Sequence, residues 1–407
     1  MPDLTAGMDE GVCVPRGFRA GAAAAEVRED GDAARLDVAI VASERAATGA
    51  GVFTRNTVKA APVVISQLTL RRREPVFAVV INAGNANACT GPQGLRDALV
   101  MCTTAADALS VDPGQVLVCS TGVIGRPLPM QRVTAGVRAA AAALDVRCDR
   151  AARAIMTTDT RPKIASATFR VGGVGYAAGG IAKGAGMMHP DLATLLGIVT
   201  TDANIDAATL QPIVSRIADR TFNSITIDGD TSTNDSVILL ANGAAGGGPL
   251  EAGSTGAAAF EECLGEVCES LAEQIVADAE GASRYFRVVV TGSTSDSDAR
   301  AAALTVAESP LVKTAVSGAD PNWGRIVAAL GRSGASFTLD RCRIAIGGIA
   351  VFERGAPCLD DLESVRTAMA RTRVDIDVDL GAGDGRAHAW GCELTADYVR
   401  INADYTT

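Results

Sequence analysis

Apolar and polar positions along the chain alternate between two spacings. A short apolar run at 116–119 ends in Ser120-Thr121-Gly122 and reads as a strand entering a tight turn. Apolar residues then recur at helical spacing over 132–144 and 149–156. Period-two alternation over 165–171, a Gly172-Gly173 turn and a second run at 174–178 predict a β-hairpin. The nearly continuous apolar run 194–201 predicts a buried strand. Spacing of i, i+3, i+4 predicts helices over 207–222 and 257–280, and strands are expected at 287–291, 343–346, 374–380 and 386–395. Strands and helices in this alternation make an α/β protein, with sheets covered by helices. The Gly-, Ala- and Ser-rich stretch 241–256 is the most linker-like part of the chain, and no repeat of about 20–50 residues marks a solenoid.

Composition narrows this picture mainly by exclusion. With 407 residues the chain has room for two structural units or one large one. Its 43 glycines are about a tenth of the residues, above the usual ~7%, which suits close packing of backbone layers. The net charge is −10 and the longest basic run is Arg71-Arg72-Arg73, so no nucleic-acid partner is expected. No apolar segment reaches about 18 residues, and the N-terminus turns acidic before any apolar stretch; neither a membrane span nor a signal peptide is expected. Ten cysteines without a C-x-x-C pair, beside only two histidines, give poor support for a metal site. They read as small buried hydrophobes in a reducing compartment, hence a cytoplasmic protein.

Several short motifs imitate known chemistry. The Gly179-Gly180 pair and Gly383-Asp384-Gly385 lack the strand-to-helix context of a nucleotide-binding loop and read as turns or close packing. At 224–232 the sequence SITIDGDTS resembles the nucleophile motif of haloacid-dehalogenase-type phosphatases, with Asp228 attacking phosphorus and Asp230 protonating the leaving group. Ser232 stands where that motif asks for Thr or Val, and the motif lies mid-chain. An EF-hand fits worse, because Thr233 and Leu239 occupy its glycine and glutamate positions. An Asp228-dependent phosphohydrolase is therefore the alternative from another class.

A richer stretch is 181–203, IAKGAGMMHPDLATLLGIVTTDA. A Gly-rich turn, Lys183-Gly184-Ala185-Gly186, leads through Pro190 to Ala193-Thr194 at the mouth of the apolar run. A threonine placed there can attack the preceding carbonyl, and hydrolysis of the resulting ester frees it as a new N-terminus. Its α-amine, with a reference pKa of about 7.7–8.0, can then serve as the base for its own hydroxyl.

The segment KGAGMMHPDLATLL resembles the self-cleavage segment of the ornithine acetyltransferase family, the glutamate N-acetyltransferases of arginine biosynthesis. The resemblance covers nearly the whole chain. It includes Gly51-Val52-Phe53-Thr54, NAGNANACTG at 82–91, STGVIG at 120–125 and MTTDTRPK at 156–163. Further on come TFNSITIDGDTSTND at 221–235, AEGAS at 279–283, SPLVKTAVSGADPNWGRI at 309–326 and YVRINADYTT at 398–407. SITIDGDTSTND thereby becomes part of this family's signature.

The resemblance implies a layered α/β sandwich of the DmpA/ornithine-acetyltransferase type, made as a precursor that cleaves itself between Ala193 and Thr194. The α chain, 1–193, then carries the oxyanion-hole and substrate loops, and the β chain, 194–407, the nucleophile and C-terminal substrate contacts. An α2β2 assembly is implied. Thr194 takes the acetyl group of N2-acetylornithine and passes it to glutamate, with no metal or cofactor; acetyl-CoA is a further donor used by bifunctional members. Thr121 and Gly122 match the oxyanion-hole pair. Substrate contacts carried over are Thr157 or its neighbour Thr158, Lys183, Thr194, Glu280, Asn402 and Thr407, with Glu280 also a candidate for proton transfer. The C-terminal carboxylate of Thr407 is a candidate partner for the ornithine δ-ammonium. Relatives in antibiotic and β-lactam pathways share these motifs and remain an open assignment at this point. Ala185, and Ser283-Arg284, depart from the common Ser and Thr-Lys; the first is expected to bear on the rate of self-cleavage, the second on substrate preference.

Overall fold

The structure is a computed structural model and describes residues 11–28, 32–189, 195–358 and 360–404. These form two sheets with helices on their faces. The first sheet has the order Val116–Val123, Val76–Asn85, Val38–Phe53, Ser236–Ala241, Leu196–Thr201, Val174–Lys183, Lys163–Val171, with Phe18–Ala23 also paired to Val38–Phe53. The strand Val38–Phe53 makes it continuous. Its first half pairs with Val76–Asn85, its second half with Ser236–Ala241, and a register shift after Ala42 lets one strand serve both neighbours. The second sheet is built from Ala356–Pro357, Ile349–Glu353, Arg343–Ile346, Arg373–Asp379, Tyr285–Ser293, Gly385–Cys392 and Ile225–Thr226.

The α/β architecture expected from the alternation is the one observed. The hairpin Lys163–Val171 and Val174–Lys183 pairs antiparallel across Gly172-Gly173. Helix Thr255–Val276 starts where the Ser254 hydroxyl accepts the Ala257 N–H at 3.1 Å. It buries Phe260, Leu264, Val267, Leu271 and Ile275, one stripe at helical spacing, in a core shared with helix Ala207–Arg220 and the first sheet. Cores of this kind gain about 25 cal/mol per Å² of apolar surface removed from water. Helices Gly91–Leu109 and Met130–Ala142 cover the other half of the first sheet, against Val38, Ile40, Ala78, Val80, Val116 and Val118. A separate core lies under the second sheet.

Two expectations are corrected. The stretch 241–256 is not a linker: Ala245 and Leu250 donate main-chain hydrogen bonds to Asp202 and Asn204, and Leu250 is buried. The helix expected to run to 280 stops at Val276, which frees Ala279 and Glu280 for a loop. The Gly179-Gly180 and Gly383–Gly385 motifs are close packing, as read: a Cβ on Gly179 would lie 1.8 Å from the Gly11 carbonyl oxygen and one on Gly385 2.3 Å from the Ser295 carbonyl carbon. Seven of the ten cysteines are buried.

The chain positions 193 and 194 lie outside the described residues. Their neighbours show that this boundary does not separate two folded units. Lys183 pairs with Leu196, and Leu196 with Ser236, so strands from either side of it are adjacent in the first sheet. Among the described residues no helix is long and apolar enough to cross a membrane.

Candidate active site

A cavity of about 210 Å³ opens at the ends of these central strands. One wall is the strand Val116–Val123, whose Thr121 and Gly122 face the cavity. Gly122 has φ +133, and a Cβ there would lie 2.2 Å from the carbonyl carbon of Gly84 on the parallel neighbour. Only glycine fits this close approach. The pairing shifts register at Gly84/Asn85, opposite these residues. Behind them Ser120 donates to Asn82 at 2.6 Å, and the Asn234 amide donates to the carbonyls of Ser120 and Ala86 at 2.9 and 2.6 Å.

Lys183, the last residue of its strand, is buried in the second wall and donates to the Thr121 hydroxyl at 3.3 Å. Burial draws the ammonium below the usual lysine range, while Asp159 opposes that shift. Asp159 also accepts the Gly184 N–H at 2.7 Å, the Thr157 N–H at 2.8 Å and the buried Lys163 ammonium at 2.5 Å. Lys163 in turn reaches Asp278 at 2.6 Å. Burial alone would raise Asp159, but Lys183, Lys163 and the main-chain donor of Gly184 hold it well below the carboxylate range. Thr157 and Thr158 both face the cavity, from the loop this network holds.

The third wall brings in Glu280 and Asn402. Glu280 donates its N–H to the Ala185 carbonyl at 2.9 Å, and its Oε2 accepts the Asn402 amide at 2.9 Å. Gly186 passes so close that a Cβ would lie 2.6 Å from that carboxylate. Gly281, at φ +68, turns the chain away beneath Tyr398. Ser283 and Arg284, by contrast, donate to Glu393 and do not line the cavity, so the expectation that they bear on substrate preference has no contact to act through.

Asp228, the candidate phosphatase nucleophile, is a clamp. Its two oxygens accept the N–H groups of Met187 and Met188 at 2.7 Å each, the Asp230 N–H at 3.2 Å and the Tyr398 hydroxyl at 3.1 Å. A carboxylate so occupied has no lone pair aimed at a substrate. What it does hold is the segment leading toward Thr194. On the far side of the boundary, Leu195 donates its N–H to Asp235 Oδ1 at 3.2 Å and accepts the Ser236 N–H at 3.1 Å. Ser232, Thr233 and Asn234, just before, line the cavity.

The structure thus gathers Thr121, Gly122, Thr157, Thr158, Lys183, Glu280 and Asn402 around one cavity. Ala193, Thr194 and Thr407 lie outside the described residues. Sequence reasoning assigned no part to Asp159, Lys163, Asp278, Asn234 or Asp235. All five are buried, and all but Asp278 fall within motifs already quoted. A wider cleft of about 790 Å³, lined by five glutamates of Thr255–Val276, shares none of the site residues.

The ArgJ family model matches residues 19–407. The chain belongs to the ArgJ family. Among the family's members, the arginine biosynthesis bifunctional protein ArgJ of Symbiobacterium thermophilum is 50% identical over 98% of both chains. Its counterpart in Geobacter sulfurreducens is 47% identical over 96% of this chain and 99% of its own. The crystal structure of arginine biosynthesis bifunctional protein ArgJ from Bacillus halodurans is 45% identical, with a TM-score of 0.50; the match takes in 51% of this chain and 98% of that one. One chain of that ArgJ structure is therefore about half the length of this polypeptide.

Proposed function

We propose that this chain cleaves itself between Ala193 and Thr194 and that the freed Thr194 carries an acetyl group from N2-acetylornithine to glutamate. The observation that supports this most is convergence. Residues from separate segments, spread from Thr121 to Asn402, meet in one small cavity, and the chain immediately after Thr194 is fastened beside it by Asp235 and Ser236. The half-length chain of the Bacillus halodurans structure is what a cut near the middle of the precursor leaves.

In the first half-reaction the Thr194 hydroxyl attacks the acetyl carbonyl, its α-amine takes the proton and passes it to the ornithine nitrogen as the carbon–nitrogen bond breaks; in the second, the glutamate amine attacks the acetyl-Thr194 ester, the ester bond breaks, and the proton lost by that amine returns through the α-amine to the Thr194 oxygen. Each step puts negative charge on the acetyl oxygen. Thr121 and Gly122 are the donors for it, and their placement needs the rigid Gly84–Gly122 approach, because donors fixed beforehand need no reorganisation in the transition state. Lys183 binds the substrate α-carboxylate; Asp159 preserves its charge in a buried setting. Glu280, oriented by Asn402, meets the ammonium group of ornithine or the amine of glutamate. Thr157 and Thr158 supply hydroxyls. Thr407 contributes the last substrate contact.

The scheme runs on a hydroxyl, an amine and main-chain donors and calls for no cofactor. For the second activity in the relatives' word "bifunctional" we propose acetyl-CoA as an alternative acetyl donor to glutamate, in a cytoplasmic α2β2 enzyme. Thr194→Ala tests the reading: the chain should stay whole and lose acetyl transfer. Transfer surviving in that variant removes Thr194 from its role.

A further inference from the structure

A second cavity, of about 590 Å³, lies against the second sheet and shares no residue with the acetyl-transfer site. Strand alternation builds its floor. In Tyr285–Ser293 the residues Phe286, Val288 and Val290 enter the core under the sheet, which turns Arg287, Val289 and Thr291 to the other face. On the antiparallel neighbour Gly385–Cys392, where His388 pairs with Val289, the same alternation turns Arg386 and His388 to that face. The walls are the C-terminal end of helix Ala207–Arg220, with Arg216 and Arg220, and helix Asp296–Glu308, with Arg300.

Five arginines therefore line one cavity in a chain whose net charge is −10, and the carboxylates lining it with them among the described residues are Asp219 and Asp296. Both carboxylates are engaged already. Asp219 accepts the Asn223 side-chain amide at 2.9 Å, and Asp296 accepts the Arg386 main-chain N–H at 2.8 Å. The nearest acids of the glutamate-lined cleft are engaged too. Glu261 accepts Arg216 at 2.6 and 3.0 Å; Glu269 accepts the Trp390 indole N–H at 2.9 Å and has His388 Nε2 at 3.0 Å. Arg220 and Arg300 donate to the main-chain carbonyls of Glu261 and Asn223. Arg287 lies over the Trp390 ring, 5.2 Å from its centre, and its buried Nε has no hydrogen-bond partner among the described residues. A buried, charged donor without an acceptor is unfavourable, and an anionic oxygen bound there would satisfy it.

Charge complementarity selects the occupant. The planar guanidinium fork matches phosphate oxygens two at a time. A lone carboxylate would engage one fork and leave the other arginines facing one another. A diphosphate carries several charges and presents oxygens to more than one wall at once. The volume falls within the range of about 300–1,000 Å³ usual for small-molecule sites, and it leaves room beside a diphosphate for an organic group. We propose that this cavity is a second binding site, for a small molecule whose diphosphate is held by Arg220, Arg287, Arg300 and Arg386. Inorganic pyrophosphate and a nucleoside diphosphate share that chemistry, and titration separates them.

The test is equilibrium dialysis of the protein as expressed, in low salt without divalent cations, against radiolabelled pyrophosphate and, separately, ADP. The site does not depend on a cut before Thr194. Both probes should bind. Tighter binding of ADP identifies a nucleotide as the occupant, and equal affinities assign the grip to the diphosphate alone. Arg287→Gln and Arg386→Gln should each weaken binding by about 10–100-fold, the worth of a charge-assisted hydrogen bond, while acetyl transfer from N-acetylornithine keeps its wild-type rate. Arg386 is exposed, so its variant tests the site even where Arg287→Gln fails to fold. Absence of binding by both probes at millimolar concentration overturns the proposal, as does binding that Arg386→Gln leaves unchanged. Sulfate competing as well as pyrophosphate overturns the preference for a diphosphate. A change of assembly mass in Arg386→Gln, measured by analytical ultracentrifugation, gives the cavity to an acidic segment of a second copy and overturns a small-molecule site.

Discussion

Lys163→Met tests whether the buried ion network holds up the site. The Lys163 side chain is fully buried, with its ammonium 2.5 Å from Asp159 and 2.6 Å from Asp278. Methionine matches its length, so the substitution removes charge and hydrogen bonds without opening a large void. At an effective dielectric of about 20, unit charges 2.6 Å apart attract by about 6 kcal/mol. The desolvation of the ammonium offsets part of that, and removing one partner of a buried pair costs about 3–5 kcal/mol in practice. Asp159 keeps Lys183 and its main-chain donors, and Asp278 keeps the N–H and hydroxyl of Thr160. The loss at pH 7 should therefore fall in that range. The pH dependence has a definite sign. Asp159 is held below its unfolded range, so its contribution is present above about pH 3.9 and is lost as pH falls toward the folded value. Wild type and variant should converge on acidification. Urea unfolding followed by the fluorescence of Trp323 and Trp390, in a Thr194→Ala background that keeps the chain whole, measures this. A loss under about 1 kcal/mol at pH 7, the scale of an exposed pair, or a gap that widens in acid, refutes the reasoning.

Three further substitutions separate chemistry from stability. In Gly186→Ala the atoms nearest the new Cβ are those of the Glu280 carboxylate, the closest at 2.6 Å, and that side chain can turn aside. Stability should stay within about 0.5 kcal/mol, while kcat/KM for N-acetylornithine falls up to about 100-fold through misplacement of Glu280; steady-state kinetics beside a thermal melt checks both. Gly122→Ala meets main chain instead, 2.2 Å from the Gly84 carbonyl carbon. It should cost about 1–3 kcal/mol in overpacking and about 10²–10³ in kcat, and a variant with wild-type kcat would remove the pair from oxyanion binding. Because burial draws the Lys183 ammonium below the ordinary value of about 10.4, kcat/KM should decline on the alkaline side earlier than an exposed lysine would dictate. A pH profile of Lys183→Met should lack that limb and show a raised KM.

Much of the fold was legible because its elements follow the two spacings faithfully. Arg343–Ile346 was placed to the residue, and the stripe Phe260–Ile275 gave its helix unmistakably. The end of that helix was not legible, since residues 277–280 continue the helical spacing although the N–H groups of Asp278 and Ala279 bond three residues back, to Ile275 and Val276, instead of four. The stretch 241–256 looked like a linker because its packing is made by main-chain hydrogen bonds to Asp202 and Asn204, which leave no hydrophobic signature. For the site, long motifs named the residues that now share a cavity. They carried no role for Asp159, Lys163 and Asp278. A lysine and two aspartates, one of them more than a hundred positions away, announce nothing until folding desolvates them together. Asp228 misled for a related reason: a carboxylate in a Gly-turn has the same sequence appearance whether it attacks a substrate or, as here, clamps Met187 and Met188.

The most direct test of the account is the mass of the chain that carries Thr194, measured after brief exposure to N-acetylornithine and an acid quench. The account predicts two polypeptides cut between Ala193 and Thr194, with the peptide beginning at Thr194 heavier by one acetyl group. Glutamate should remove that group as N-acetylglutamate. An uncut chain that still transfers acetyl, or an acetyl group on a residue other than Thr194, contradicts it.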